Sequence, residues 1–269
     1  MGKEIKERKR AVFGADPHCG AENGLTPPQW QYTFHPRSKS RRSKLAKMQR
    51  QMWERYAGWL EEIKPVRVGI WPGDCIAGKE KKQGGRGLIT ADRNEQTDMA
   101  AAVIEEADAD VNIMTYGTGY HVGTDDDWED SVASKVGAEK IGGHEWVDIN
   151  GVIFDVKHKV GSSSIPHGRF TAIAKERLWN VLWAEREQYP KADVIVRGHV
   201  HYHTHCGDSR WLGLTLPALQ GPGGIYGVRE CSGTVDFGLV YFDVEPDGRY
   251  SWEAKLCEVG PKKIKPFRV

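Results

Sequence analysis

The sequence predicts an α/β protein with a two-layered β core flanked by helices. Short apolar runs end one after another in polar clusters, at Asp16/His18, Asp74, His121 and His199/His201. Stretches of helical periodicity separate those runs, the alternation that a parallel sheet requires. From residue 211 onward the chain reads as strands and turns, enough to complete a second β layer. One domain is expected over residues 1–269, because no repeat and no domain-sized linker interrupts the chain.

Residues 11–15, AVFGA, form an apolar run halted by Asp16-Pro17-His18-Cys19-Gly20, a buried strand entering a loop. Residues 21–44 carry Pro27, Pro28 and Pro36 and read as loop. Apolar residues then recur at helical spacing from Leu45 to Ile63, with Ser43 as the expected N-cap and Pro65 as the stop. VRVGIW (66–71) is a second buried strand, 77–90 a Gly-rich loop, 91–107 a helix, and VNIMTY (111–116) a third strand. The stretch TDDDWED (124–130) reads as a solvated acidic run. Asn150-Gly151 lies between two alternating runs, WVDI and VIFDVKHKV, and marks a hairpin. A helix is expected from Thr171 to about Tyr189, with Ile173, Leu178, Val181 and Leu182 on its apolar side. DVIV (193–196) is a strand that ends at RGHVHYH. Residues 211–219, 235–244 and 250–259 are strands, the last two joined by the turn Glu245-Pro246-Asp247-Gly248.

Composition narrows the class. Hydrophobic residues make up 39% and charged residues 28%, as in a soluble globular chain. No apolar run nears the roughly 20 residues of a membrane span, and no apolar stretch follows the charged N-terminus as in a secretory signal. The five cysteines are scattered without a CxxC pair, which fits reduced thiols and a cytoplasmic location.

The clusters at the strand ends carry the chemistry. Asp16 and His18, two residues apart, can both turn onto one cation from an extended loop. Alone, Gly73-Asp74 is an ordinary turn and His158 an ordinary strand histidine. The run from His199 to His205 is different, with imidazoles at 199, 201, 203 and 205. On an extended chain alternate residues share a face, so the run points to metal binding or to a His-rich surface strand.

In order, these clusters resemble the calcineurin-like metallophosphoesterases. Their pattern is D-x-H, G-D, G-N-H, a lone His and G-H-x-H, each after a strand. Here it reads Asp16-Pro17-His18, Gly73-Asp74, a variant around Gly117–His121, His158, and Gly198-His199-Val200-His201, over residues 12 to 201. The resemblance implies an αββα architecture and two divalent metal ions. Asp16, His18 and His201 would hold one, His158 and His199 the other, with Asp74 bridging them. Mixed carboxylate and imidazole ligands suit Mn, Fe, Zn or Ni, and Mn is favoured. The implied activity is hydrolysis of a phosphate ester by a metal-bridging hydroxide attacking phosphorus, with His121 protonating the leaving oxygen or steadying the phosphate.

The third motif departs from the family, whose Asn supplies a metal ligand. Two alignments are possible: Gly117-Thr118 in place of Gly-Asn with two extra residues before His121, or Gly119-Tyr120-His121 as the direct match. The first is favoured because a Thr hydroxyl is the better oxygen donor, which makes Thr118 a candidate ligand. A water, or a carboxylate from Asp125–Asp127, is a further alternative.

The partner expected is a phosphate-ester substrate. Protein phosphatases of the superfamily carry Asp-Arg-Gly shortly after Gly-Asp, whereas this chain reads GDCIAGK, so phosphodiesters or nucleic acid are favoured. From Asn23 to Trp53 there is no acidic residue, and seven basic ones lie between Arg37 and Arg50, a segment suited to a polyanion. Arg41, Arg42, His167 and Arg197 are candidate substrate contacts. The competing expectation is a scaffold of the same fold that binds a protein partner, which the missing Asn alone suggests.

Overall fold

The apolar runs form strands that are buried on both faces. In strand β1 (Lys9–Phe13), Val12 joins one apolar cluster while Ala11 and Phe13 join another. Strand β2 (Val68–Pro72) divides likewise, with Trp71 in the first cluster and Val68 and Ile70 in the second. Two buried faces leave no position for a polar side chain, so such strands read as unbroken apolar runs.

The computed structural model describes residues 7–79, 84–122, 127–163, 165–223 and 234–260. One six-stranded sheet has the order β11 (Tyr250–Cys257), β10 (Phe237–Val244), β1, β2, β3 (Val111–Thr115) and β4 (Lys140–Gly142). Strands β1 to β4 run parallel, and β10 and β11 add on antiparallel. The second sheet has the order β5 (Glu145–Ile149), β6 (Val152–Lys157), β7 (Val194–Arg197), β9 (Trp211–Thr215) and β8 (Thr204–Asp208). Its central β6, β7 and β9 are parallel, and the hairpin at Asn150-Gly151 joins β5 to β6.

The sheets meet face to face through rings. Phe154 of the second sheet lies 5.5 Å from Phe13 and 5.1 Å from Phe242 of the first, centroid to centroid. Truncating such a ring to alanine costs about 3–5 kcal/mol. Helices α1 (Arg41–Ile63) and α2 (Arg93–Glu105) cover the outer face of the first sheet, burying Met52, Tyr56, Leu60, Met99 and Val103. Helices α3 (Gly119–Val122) and α4 (Trp128–Lys135) follow β3. Helix α5 (Arg169–Glu185) lies on the second sheet, with Ile173 so close to β9 that a Cβ on Gly213 would come within 2.2 Å of it. The layers are helix, sheet, sheet, helix, as the sequence predicts.

Three local expectations are corrected. Helix α1 begins at Arg41, because the Ser40 hydroxyl, not that of Ser43, caps it by accepting from Ser43 N at 3.2 Å. Helix α5 runs from Arg169 to Glu185, and its Leu178 and Leu182 are 57% and 40% exposed; Ile173 and Asn180 are the residues it buries. The acidic run is not wholly solvated: Asp127 caps α4 and Glu129 is fully buried. Asp125, Asp126 and Cys231 lie outside the described residues. Cys19, Cys75, Cys206 and Cys257 are free thiols.

Candidate metal centre

Five of the predicted ligands stand in backbone that side chains rarely adopt. Among the described residues eight non-glycine positions have positive φ, and Asp16 (55°), His18 (43°), Asp74 (50°), His199 (73°) and His201 (56°) are five of them. Asp and His tolerate this region better than branched residues do, yet each instance still costs on the order of 1 kcal/mol. The strain follows from the ladder below. The β1–β2 pairing continues past the strand ends, with Asp16 N donating to Gly73 O (3.3 Å) and His18 N to Asp74 O (3.2 Å). Gly198 N donates to His158 O (2.9 Å) and ties the ends of β6 and β7 in the same way. The loops therefore turn sharply at one edge of the two sheets, the C-terminal edge where α/β proteins bind ligands.

The side chains converge there. Asp16 Oδ1 lies 3.2 Å from His201 Nε2, 3.7 Å from His18 Nε2 and 4.0 Å from His158 Nε2. His18 Nε2 and His201 Nε2 are 3.1 Å apart, and His158 Nε2 is 3.1 Å from Asp74 Oδ2. Ligand atoms of Asp16, His18 and His201 fall within 4.8 Å of one another, as do those of Asp74, His158 and His199, and those of His18, Asp74 and His121. Asp16 Oδ1 and His158 Nε2 are buried with no aligned hydrogen-bond partner. Buried polar atoms are rarely left so, and a cation is the partner that suits a carboxylate oxygen and several imidazole nitrogens together.

Supporting bonds fix the orientations. Asp16 Oδ2 accepts from His199 N (2.9 Å), and His158 Nδ1 donates to Pro72 O (2.6 Å), turning Nε2 inward. Gly73 and Gly117 stand back to back: a Cβ on Gly117 would fall 2.2 Å from Asp74 Oδ1. The electrostatics suit cation binding. Burial would raise the Asp16 carboxyl, but His201 and His158 hold it well below the usual carboxylate range. Asp74 is likewise lowered against its burial, chiefly by His158. Burial lowers His18 to about 4, so its imidazole is neutral at pH 7, the form that can bind a cation. Burial also acts to lower His158, yet Asp16 and Asp74 push it up to about 10. Carboxylates that grip a proton on His158 offer the same attraction to a metal ion.

The third motif is built around a residue that sequence reasoning passed over. Glu129 on α4 accepts from Cys75 N (2.8 Å) and from Gly117 N (2.5 Å), bracing the Asp74 loop against the loop after β3. Burial and the Asp74 charge raise its carboxyl to about 8. Thr118 sits on Asp74, with its N–H 2.6 Å and its hydroxyl 3.1 Å from Oδ1. His121 lies in α3, its Nδ1 donating to Ala77 O (2.9 Å) and its ring 4.5 Å from that of His18.

The remaining candidates scatter. Arg197 does not face a substrate: it is fully buried, paired with Asp155 (2.7 Å) and Glu176 (2.8 Å). As the last residue of a central strand, its side chain takes the face opposite the ligand loop. His167 is exposed in the short turn 166–168 and is not among the converging ligands. Arg41 pairs with Glu22 (2.5 Å), and Arg42 lies 4.4 Å over the Tyr32 ring. His203 and His205 turn away from the cluster, His203 donating to Thr215 O (2.9 Å) and His205 packing 5.0 Å from Trp252.

No known family profile matches the sequence, and no curated protein matches it. Among solved structures the chain is similar to vacuolar protein sorting 29 of Cryptosporidium parvum, with TM-score 0.46 and 9% identity over 94% of this chain and 99% of that one. It is also similar to an archaeal phosphodiesterase, with TM-score 0.40 and 12% identity over 91% and 99%. A third is vacuolar protein sorting 29 of Entamoeba histolytica in complex with zinc, with TM-score 0.33 and 11% identity over 92% and 98%.

Proposed function

We propose that this protein is a metal-dependent hydrolase of phosphate esters, acting on phosphodiesters or nucleic acid rather than on phosphoproteins. The supporting observation is that Asp16, His18, Asp74, His158, His199 and His201 gather around Asp16 Oδ1 and His158 Nε2, which are buried with no aligned hydrogen bond, five of the six through strained backbone. In this reading Asp16, His18 and His201 hold one cation, His158 and His199 a second, and Asp74 is shared. Bound ions, with Mn favoured, would supply an acidified water and positive charge for the phosphate oxygens.

The chain's own residues would do the rest. Thr118 spends its N–H and hydroxyl on Asp74 and so fixes the shared carboxylate. His121, with Nδ1 committed to Ala77 O, keeps Nε2 for a proton that the departing oxygen takes up. Arg41, Lys44, Lys47 and Arg50 line the exposed side of α1, and Glu22 ties that segment to the His18 loop through Arg41 and Tyr32. Such a stripe suits a polyanionic strand.

The test is a panel: bis-p-nitrophenyl phosphate, cyclic nucleotides, and single- and double-stranded DNA and RNA, offered to metal-loaded protein. Hydrolysis of a phosphodiester that a chelator removes and Mn restores is expected. Protein that binds metal yet turns over nothing in the panel would overturn this reading in favour of a scaffold. For the nucleic-acid part, Arg41→Glu with Arg42→Glu should raise KM for oligonucleotides in a salt-dependent way; an unchanged KM at low salt would refute it.

A further inference from the structure

Among the described residues, six of the eight large apolar side chains that are exposed lie between Ile165 and Tyr189, on α5 and its flanks. Leu178, Trp179 and Leu182 form the centre of this stripe, at 57%, 44% and 40% exposure, and Trp179 stacks on Trp183. The i, i+4 spacing of Leu178 and Leu182 is that of a helix presenting a face to another helix. An apolar patch concentrated on one element marks an interaction surface.

The charges that flank the stripe indicate the occupant. Glu176 and Arg177 are used inside the chain, by Arg197 and by Ala192 O. Lys175 and Glu185 are exposed and make no ion pair within the described residues. They stand at equal distances on either side of position 180, as do Leu178 and Leu182.

We propose that this face of α5 is an interface between two copies of the chain, packed as antiparallel helices about a two-fold axis level with residue 180. A residue that stands some number of positions before 180 then faces the residue equally far after it in the other copy. Lys175 meets Glu185 twice, and Leu178 meets Leu182 twice, with Trp179 of each copy beside the axis. A two-fold contact must be self-complementary, and this stripe is, in charge and in apolar character. One helix per subunit makes a small interface, so the dimer dissociates on dilution.

The test is sedimentation of the full chain over about 1 to 200 µM, spanning the range expected of a small interface. The wild type should pass from the mass of one chain, 30.2 kDa, towards twice that. Lys175→Glu sets Glu against Glu185, and Glu185→Lys sets Lys against Lys175, so each should weaken dimerisation about tenfold. The double variant should regain it, because both pairs are restored with reversed sign. Leu178→Asp should remain monomeric throughout, with circular dichroism and melting unchanged because the site is exposed. A wild type of one-chain mass at every concentration would overturn the proposal, as it would if a different protein covered this face. So would a double variant no better than the single ones, or a dimer that persists in Leu178→Asp.

Discussion

His199 and His201 share residue type and spacing with His203 and His205, yet the two pairs end in different chemistry. The first pair stands in left-handed backbone beyond β7, with ligand atoms beside Asp16 and Asp74. The second pair has left the turn, and its rings pack against one another and Trp252. Backbone conformation, not imidazole content, separates the candidate ligands from the packing residues. The strain of the first pair persists because the ladder at the sheet edge over-determines it, which is how strained residues survive at functional sites.

The contrast breaks or sharpens in mutants. Asp74→Asn should have the largest effect, a loss of turnover of about 10³-fold or more together with loss of metal, since in the proposed reading its carboxylate is shared by both ions. His201→Ala should lower metal content, whereas His203→Ala should leave it unchanged; equal loss in both would erase the distinction between the pairs. His121→Ala should cost about 10²–10⁴ in rate with metal retained. Glu129→Gln should reduce stability by about 1–3 kcal/mol, because it sets an amide NH2 against one of the two N–H groups, of Cys75 and Gly117, that the Glu129 oxygens accept from. The smallest effect is in protons. His158 is raised from 6.5 to about 10, so in metal-free protein its attraction to Asp16 and Asp74 is fully present below pH 6.5 and lost as pH rises towards 10. Glu129, raised from 4.5 to about 8, adds a loss of the same sign between those values. Metal uptake near neutral pH should therefore release protons, measurable in weakly buffered solution. Uptake without release would mean that His158 is not a ligand.

Much of this was legible in the sequence. The strands could be read because Ala11–Phe13 of β1, all of β2 and Val194–Val196 of β7 are buried and free of polar side chains. The polar clusters that converge at the sheet edge could be read because each follows a strand. Leu178 and Leu182 were misplaced because helical periodicity reports an apolar face without saying what covers it. Glu129 was hidden in an acidic run, where one buried carboxylate looks like its neighbours. A signal did exist: Asp127 before Trp128-Glu129 is an N-cap, and it turns the run into a helix with an inward face. Arg197 misled by standing next to Gly198-His199, since adjacent residues of a strand point to opposite sides.

The most direct test is the metal content of purified, dialysed protein by plasma mass spectrometry, wild type beside Asp74→Asn and His203→Ala. The account predicts two divalent ions per chain in the wild type and in His203→Ala, and a marked loss in Asp74→Asn. A wild type that retains no metal when supplied with Mn, Fe, Zn or Ni, or an Asp74→Asn protein that retains as much as the wild type, would contradict it.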